Sequence, residues 1–506
     1  MHVSIHPTPR EHAVDSMTPD PSEFPASGLL TDLYQITMAQ GYYRCGMAEH
    51  EAVFHLTFRN LPFGGGFAIA CGLDTVVDFL NRWRFSTEDL AYLGRLKGND
   101  GNALFHADFL EYLRALRFAC DVEAIAEGTP VFGHEPLVRI RGPIVQCQLL
   151  ETPLLALLNF QTLIATKAAR IILAADGDPV IEFGFRRSQG MNGSLAVARA
   201  SYIGGCVGTS NVFAGRTYDI PVLGTHAHSW IMAFESEREA FLRYADALPN
   251  NCVFLVDTYD SISGVKHAIE AARRLQEKGH QVAGIRLDSG DLAALSIKAR
   301  ELLDEAGFSQ AKIVASNELD EHRIRELKQA GAKIQVWGVG TRLATAYDQP
   351  ALDGVYKLAG IRPDSTSPWR FSVKLSENES KVPNPGVQQV RRFFRGDAPL
   401  IDVLYNIEDA PGKEWRYALL SDPDRQESVP EHTRWRDLLQ PVFREGDLVA
   451  ERENIAESRK RTLSALDALE QEFRRLDAPA RYPVGLESRL GALKRRLVAE
   501  ARKNCD

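Results

Sequence analysis

Apolar and polar positions along the chain fall into blocks of changing period. Residues 30–43 carry apolar side chains at helical spacing, among them Leu33, Ile36 and Ala39, with Thr31 or Asp32 placed to cap. Residues 52–58 read as a strand, followed by the glycine cluster Gly64, Gly65 and Gly66. Residues 121–148 read as short strands punctuated by Gly and Pro, a β-rich layer, and residues 151–173 return to helical spacing. Four apolar runs then end in polar or glycine residues: 253–256 before Asp257, 282–287 before Asp288, 312–315 before Asn317, and 334–337 before Gly338. The connections 264–278 and 291–306 have helical periodicity. Strand–helix units repeated in this way predict a parallel sheet, and the spacing leaves open whether it closes into a barrel. In either case the residues just past each strand gather at one rim, where active sites sit. Beyond residue 360 the runs 371–375, 386–394 and 400–405 predict a second β-rich unit. In the tail, Leu463, Leu466, Leu469, Phe473 and Leu476 recur at steps of three or four, the spacing of an amphipathic helix with a solvated charged face.

At 506 residues the chain is too long for one hydrophobic core, so two or three domains are expected. A net charge of −8 gives no basic field for a nucleic-acid backbone, which leaves local groups to hold any anionic substrate. The longest apolar stretches, such as 154–160, are too short for a membrane span. The leading residues lack an apolar core and are rich in Pro, Asp and Glu, which reads as a disordered extension and not a signal peptide. The seven cysteines (Cys45, Cys71, Cys120, Cys147, Cys206, Cys252, Cys505) form no CxxC pair, and their odd number argues against a disulfide framework. A reducing cytoplasm fits this usage.

Several strand ends carry candidate chemistry. VWGVGT (336–341) lets backbone N–H groups of Gly338 and Gly340 approach phosphate oxygens and adds the Thr341 hydroxyl; a tight βα turn has the same letters. RLDSGDL (286–292) presents Arg286, able to pair bidentately with a carboxylate or phosphate, and Asp288, suited to a sugar hydroxyl or magnesium, while Asp291 is a candidate helix cap. VDTYDSISG (256–264) offers further carboxylates, for each of which capping is the plainer reading. EFGFRRSQG (182–190) places Phe183 and Phe185 as a face for a flat ring beside the forks of Arg186 and Arg187; alternating core aromatics and surface arginines on a strand account for it equally. In GTHAHSW (224–230) two histidines alternate with small and hydroxyl residues. With no nearby third ligand they make a poor zinc site, and a histidine acting as base or nucleophile fits better. Together, residues 182–341 point to a soluble, cytoplasmic α/β enzyme for a phosphorylated sugar.

LLTDLYQITMAQGYY (29–43), FRNLPFGGGFAIACGL (58–73), EFGFRRSQG, GTSNVFAG (208–215), GTHAHSW, VDTYDS, RLDSGDL, WGVGT and KLSENESKVPNPG (374–386) are long, ordered motifs. In that order they resemble the nicotinate phosphoribosyltransferases over residues 29–396, leaving the first 26 residues and the tail beyond about Val449 outside the likeness. The resemblance implies an irregular α/β barrel of the type II phosphoribosyltransferase kind, beside a β-rich domain built from both chain ends. The expected divisions are an extension at 1–27, β-rich segments at 28–150 and 361–449, a barrel at 151–360, and a helical C-terminal extension at 450–506. It implies a homodimer with shared active sites that joins nicotinate to 5-phosphoribosyl 1-pyrophosphate for NAD synthesis. ATP hydrolysis, with Mg2+, is coupled through a phosphohistidine matching His228, which gives the activity its ligase class; His226 is not equivalent. By the same resemblance, Tyr34 from the neighbouring subunit stacks on the pyridine ring opposite Phe183. Arg186, Thr225, Ser229 and Arg286 surround nicotinate or phosphates, Asp288 meets the ribose, and Gly338, Gly340 and Thr341 hold the 5-phosphate. The metal ligands stay unassigned.

Nicotinamide phosphoribosyltransferase shares much of this scaffold, but that family carries an aspartate in the loop corresponding to GTSNVFAG. Here Ser210 and Asn211 replace it, and the absence of a carboxylate favours the acid substrate. A quinolinate-specific enzyme would need a more basic pocket in a shorter chain. A catalytically silent relative serving as a sensor or scaffold is opposed by the joint presence of His228, Arg286 and Asp288.

Overall fold

The computed structural model describes residues 26–376, 382–410 and 412–503. The N-terminal extension up to residue 25, residues 377–381 of the KLSENESKVPNPG segment, and Cys505 lie outside them.

Six short strands form the parallel sheet expected from the apolar runs, in the order Gly208–Thr209, Val180–Glu182, Val336–Val339, Lys312–Ala315, Gly284–Leu287, Val253–Leu255. Every ladder in it is parallel. Its interior is apolar and closed to solvent: Ile285, Leu287, Ile313, Ala315, Trp337 and Val339 are buried. Strands covered on both faces need such near-continuous apolar runs. The helices between them start where a side chain satisfies free backbone N–H groups. Asp260 caps Ser261–Glu277, Asp291 caps Leu292–Glu305, and Asp320 caps Glu321–Gln329.

The two outer strands of this sheet are joined through the GTHAHSW region. Thr209 N donates to Pro221 O and Leu223 N to Thr209 O, both at 3.0 Å, while on the other side Leu255 N donates to Nε2 of His226 at 3.2 Å. One backbone bridge and one imidazole thus span the gap between the edges. The arrangement is compatible with an irregular barrel.

Both chain ends build the β-rich layers. A seven-stranded antiparallel sheet sets Gly354–Arg362 against Glu51–Phe58 and Leu439–Arg444 against Asp121–Ile125. A second, six-stranded sheet holds Gln388–Arg395 against Ala398–Asn406. The two are tied by buried polar contacts: Gln388 N donates to His55 Nε2 at 3.2 Å, and Arg139 Nη1 donates to Gln388 O at 2.5 Å.

Four local expectations change. The first helix spans Leu33–Arg44 and begins after Asp32, but Asp32 accepts no capping bond and instead takes a hydrogen bond from Thr152 Oγ1 at 2.7 Å. Residues Ile144–Leu149, read as the end of the β-rich layer, are helical. The apolar helix is longer than its densest stretch, running Glu151–Ala175, where Asp176 and Gly177 turn left-handed at φ 50° and 90° and end it. It is long and apolar enough to cross a membrane by length and composition, yet Lys167 and Arg170 on it are buried in ion pairs with Glu321, as suits a core helix. Of the tail stretch read as one amphipathic helix, Ile455–Ala468 is helical; Leu469 and Phe473 keep apolar spacing on non-helical backbone because both pack into the core. Beyond them, Val484–Glu487 enters the six-stranded sheet parallel to Ala398–Asn406 and is followed by the helix Ser488–Lys503. The six described cysteines are free thiols, with Cys45 exposed and the others buried.

Candidate active site

A cleft of about 320 Å³ opens at the rim of the parallel sheet, lined by Phe183, Phe185, Arg186, Thr225, His228, Arg286 and Asp288. Seven aromatic and polar groups from three separate motifs therefore converge.

Arg286 is its most constrained member. It sits near the end of strand Gly284–Leu287 and donates Nε to Ser316 Oγ (2.8 Å), Nη1 to Thr225 Oγ1 (3.0 Å) and Nη2 to Asp288 Oδ1 (2.8 Å). Ser316 Oγ also donates to Asp288 Oδ1. The guanidinium carbon lies 5.5 Å from the centroid of Phe183, whose ring is seated on the next strand over Gly338. A Cβ at residue 338 would stand 2.6 Å from that ring, so the glycine is required by close approach.

The rim carboxylates and the capping ones separate here. Asp260 and Asp291 face their own helices. Asp257 instead accepts from Asp288 N at 3.0 Å and Ser289 Oγ at 2.5 Å through Oδ2, leaving Oδ1 buried without a partner. Thr258 and Ser316 are members of this network that no motif reading singles out, and Asp257, a carboxylate of VDTYDSISG for which capping was the plainer reading, belongs to it as well. Their signal was position alone, each following an apolar strand.

The histidines differ as sharply. His226 is buried, with Leu255 N donating to its Nε2 and its ring edge-on to Tyr244 at 4.8 Å. An Nε2 that accepts carries no proton, so the tautomer is Nδ1–H, facing Ala227 O at 3.3 Å. Burial, with Arg286 and His228 nearby, lowers its pKa to about 4. His228 begins the short helix His228–Met232 with its side chain 42% exposed. Its Nδ1 lies 3.0 Å from Thr258 Oγ1, and its Nε2 lies 4.0 Å from Asp288 Oδ2, turned toward the cleft.

Ser229, Gly338, Gly340 and Thr341 lie apart from this lining. Ser229 follows His228 and is exposed. Gly338 lies under Phe183, and Gly340 and Thr341 open the one-turn helix Thr341–Ala344 at the neighbouring strand end. EFGFRRSQG proves to be a strand ending at Glu182 followed by the 3-10 turn Phe185–Arg187, so the alternating-strand account of its arginines does not hold. Ser210 lines the cleft, whereas buried Asn211 caps the helix Val212–Tyr218 through Ala214 N. Tyr34 is half exposed on the N-terminal helix and does not reach the cleft of its own chain.

An α/β fold whose parallel-sheet rim gathers guanidinium, carboxylate, imidazole and aromatic groups defines a phosphoribosyltransferase-like class of site. Three family models match: the nicotinate phosphoribosyltransferase N-terminal domain over residues 29–159, the family proper over 179–362, and the C-terminal domain over 387–494. The last extends the likeness well into the tail, past the limit drawn from the motifs. The chain is 41% identical to a nicotinate phosphoribosyltransferase of Bacillus subtilis (strain 168), covering 94% of this chain and 96% of that protein. It is 35% identical to the Homo sapiens nicotinate phosphoribosyltransferase over 94% and 97%. The crystal structure of human nicotinic acid phosphoribosyltransferase superposes with a TM-score of 0.81, covering 92% of this chain and 99% of that one at 32% identity. The chain belongs to the nicotinate phosphoribosyltransferase family.

Proposed function

We propose that this chain transfers the phosphoribosyl group of 5-phosphoribosyl 1-pyrophosphate to nicotinate, giving nicotinate mononucleotide and pyrophosphate. The observation that carries the reading is Arg286, fixed by Ser316, Thr225 and Asp288 against the ring of Phe183. A guanidinium beside an aromatic face suits a flat ring bearing a carboxylate. Displacement at the anomeric carbon builds positive charge on the ribose and negative charge on the leaving pyrophosphate, so fixed charges and a fixed ring nucleophile lower the barrier. In this reading Arg186, Thr225 and Ser229 serve the nicotinate or phosphate groups, and Asp288 serves the ribose. Gly338, Gly340 and Thr341 hold the 5-phosphate.

ATP is the third substrate, and His228 accepts its γ-phosphoryl group. Thr258 holds one imidazole nitrogen and leaves the other open to the cleft, which supports a nucleophilic role. Asp257 and Asp288 fit a magnesium ion, since the buried Oδ1 of Asp257 has no partner and Mg2+ is commonly held by one or two carboxylates plus substrate phosphates. When bound there, the ion would neutralise charge on the pyrophosphate.

The working unit in this reading is a cytoplasmic homodimer. Leu33, Tyr34 and Met38 expose apolar surface on the N-terminal helix, and Phe185, Val222, Leu223 and Met232 do so around the cleft. Two such patches on one chain suit a two-fold contact that brings each Tyr34 to the partner's cleft. The test of the reaction is direct: purified protein with nicotinate and 5-phosphoribosyl 1-pyrophosphate releases pyrophosphate and nicotinate mononucleotide. Absence of both products, with and without ATP, overturns the assignment.

A further inference from the structure

Glu182 ends the strand Val180–Glu182 and is 1% exposed. Its carboxylate takes two hydrogen bonds that lead in different directions. Oε1 accepts from Gly184 N, and Oε2 accepts from Thr209 Oγ1 at 2.5 Å. Its main-chain oxygen accepts from Ser210 N at 2.9 Å. Among the described residues no charged side chain pairs with it, and burial pushes its carboxyl above the usual range while the two donors pull it back. Its two described partners are a backbone N–H and a hydroxyl, and a buried carboxyl held by neutral donors is costly to keep unless its geometry is needed.

What the two bonds hold are the two sides of the ring-binding region. On one side Gly184 follows Phe183 and has no room for a side chain: a Cβ there would stand 2.3 Å from Ala344 Cβ and 3.0 Å from Glu182 Oε1. On the other, the Thr209 hydroxyl also accepts from Asn211 N at 3.0 Å, fixing the turn that presents Ser210 to the cleft. Phe183 and Ser210 thus stand just past the ends of two neighbouring strands, and one buried carboxylate links the Gly184 N–H beside the first to the Thr209 hydroxyl beside the second.

We propose that Glu182 is a positioning residue that sets the separation of the Phe183 and Ser210 walls and thereby the affinity of the site for the pyridine ring. The proposal rests on the nicotinate reading given above. It distinguishes the two substrates, because the Thr209 arm of the network leads only to the ring side.

The test is steady-state kinetics on the full-length protein for Glu182→Gln, Glu182→Ala and Thr209→Val, with thermal melting of each. Glu182→Gln retains one acceptor but turns a donor toward the second N–H or O–H, and Glu182→Ala removes both acceptors. The expected result is a rise in KM for nicotinate of about tenfold in Glu182→Ala, with smaller rises in Glu182→Gln and Thr209→Val. KM for 5-phosphoribosyl 1-pyrophosphate and kcat should stay within about twofold in Thr209→Val and Glu182→Gln. Equal losses for both substrates in those two folded variants, or unchanged nicotinate KM, overturn the proposal. If Glu182→Ala does not fold, the other two decide. Wild-type protein without any transferase activity would overturn the nicotinate reading itself, which is a separate outcome.

Discussion

Thr258 Oγ1 lies 3.0 Å from Nδ1 of His228, and the opposite nitrogen of the ring stands 4.0 Å from Asp288 Oδ2. One hydroxyl therefore fixes the rotation of an imidazole that is otherwise half open to solvent. Replacing it by a shape-matched apolar group, Thr258→Val, should leave folding intact and free the ring. A single neutral hydrogen bond is worth about 0.5–1.5 kcal/mol, so phosphorylation from γ-labelled ATP should slow by about two- to tenfold. An unchanged labelling rate would show that the contact does not orient the nucleophile.

His228→Ala should abolish nicotinate-stimulated ATP hydrolysis and leave slow product formation without ATP. The wild-type protein incubated with γ-labelled ATP should carry an acid-labile, base-stable label. Persistence of that label in the variant would move the phosphorylation elsewhere.

Arg286→Lys replaces three directed donors, to Ser316, Thr225 and Asp288, by one point charge. Loss of a single charge-assisted hydrogen bond costs about 1.5–3 kcal/mol, or about one to two decades in kcat/KM. Near wild-type kinetics for nicotinate and 5-phosphoribosyl 1-pyrophosphate would make Arg286 a structural residue.

His226 couples the join between the two outer strands to pH. Its folded pKa, lowered to about 4 by burial, lies below the ordinary histidine value of about 6.5. The unfolded chain therefore takes up a proton first as pH falls. The contribution to stability is fully present above pH ~6.5 and is lost progressively down to pH ~4, amounting to about 3 kcal/mol. Melting curves across this window should show that loss, and His226→Gln, which can still accept from Leu255 N, should lack it. A parallel pH dependence in both proteins would refute the assignment.

The parallel sheet was legible because a strand covered on both faces must be almost wholly apolar, and each run stopped at a polar rim residue. Which rim carboxylates cap helices was not legible. Asp257 and Asp260 both follow the same strand, and only the direction of each carboxylate, toward Asp288 N or toward Ser263 N, separates them. The tail misled for a related reason: Leu469 and Phe473 are buried at helix-like spacing, yet the backbone leaves the helix after Ala468. Family motifs separated His228 from His226, and the physical ground is that His226 spends its Nε2 on the Leu255 N–H. Glu182 opens the EFGFRRSQG motif without any local pattern that reveals that Thr209 and Gly184 both turn to it.

Tyr34 supplies the last test. It is half exposed on the helix Leu33–Arg44, which packs through Gln35, Ile36 and Ala39 and does not line the cleft of its own chain. If Tyr34 stacks on nicotinate, it does so across a two-fold interface, and each site then combines His228 of one subunit with Tyr34 of the partner subunit. A Tyr34→Ala subunit paired with a His228→Ala subunit regains one complete site of the two, because the intact His228 of the first meets the intact Tyr34 of the second. Nicotinate-stimulated ATP hydrolysis should therefore return in the mixture, although each parent lacks it or has little. Differential tags and tandem purification establish that heterodimers formed. Verified heterodimers no more active than their parents would show that Tyr34 does not complete the partner's site.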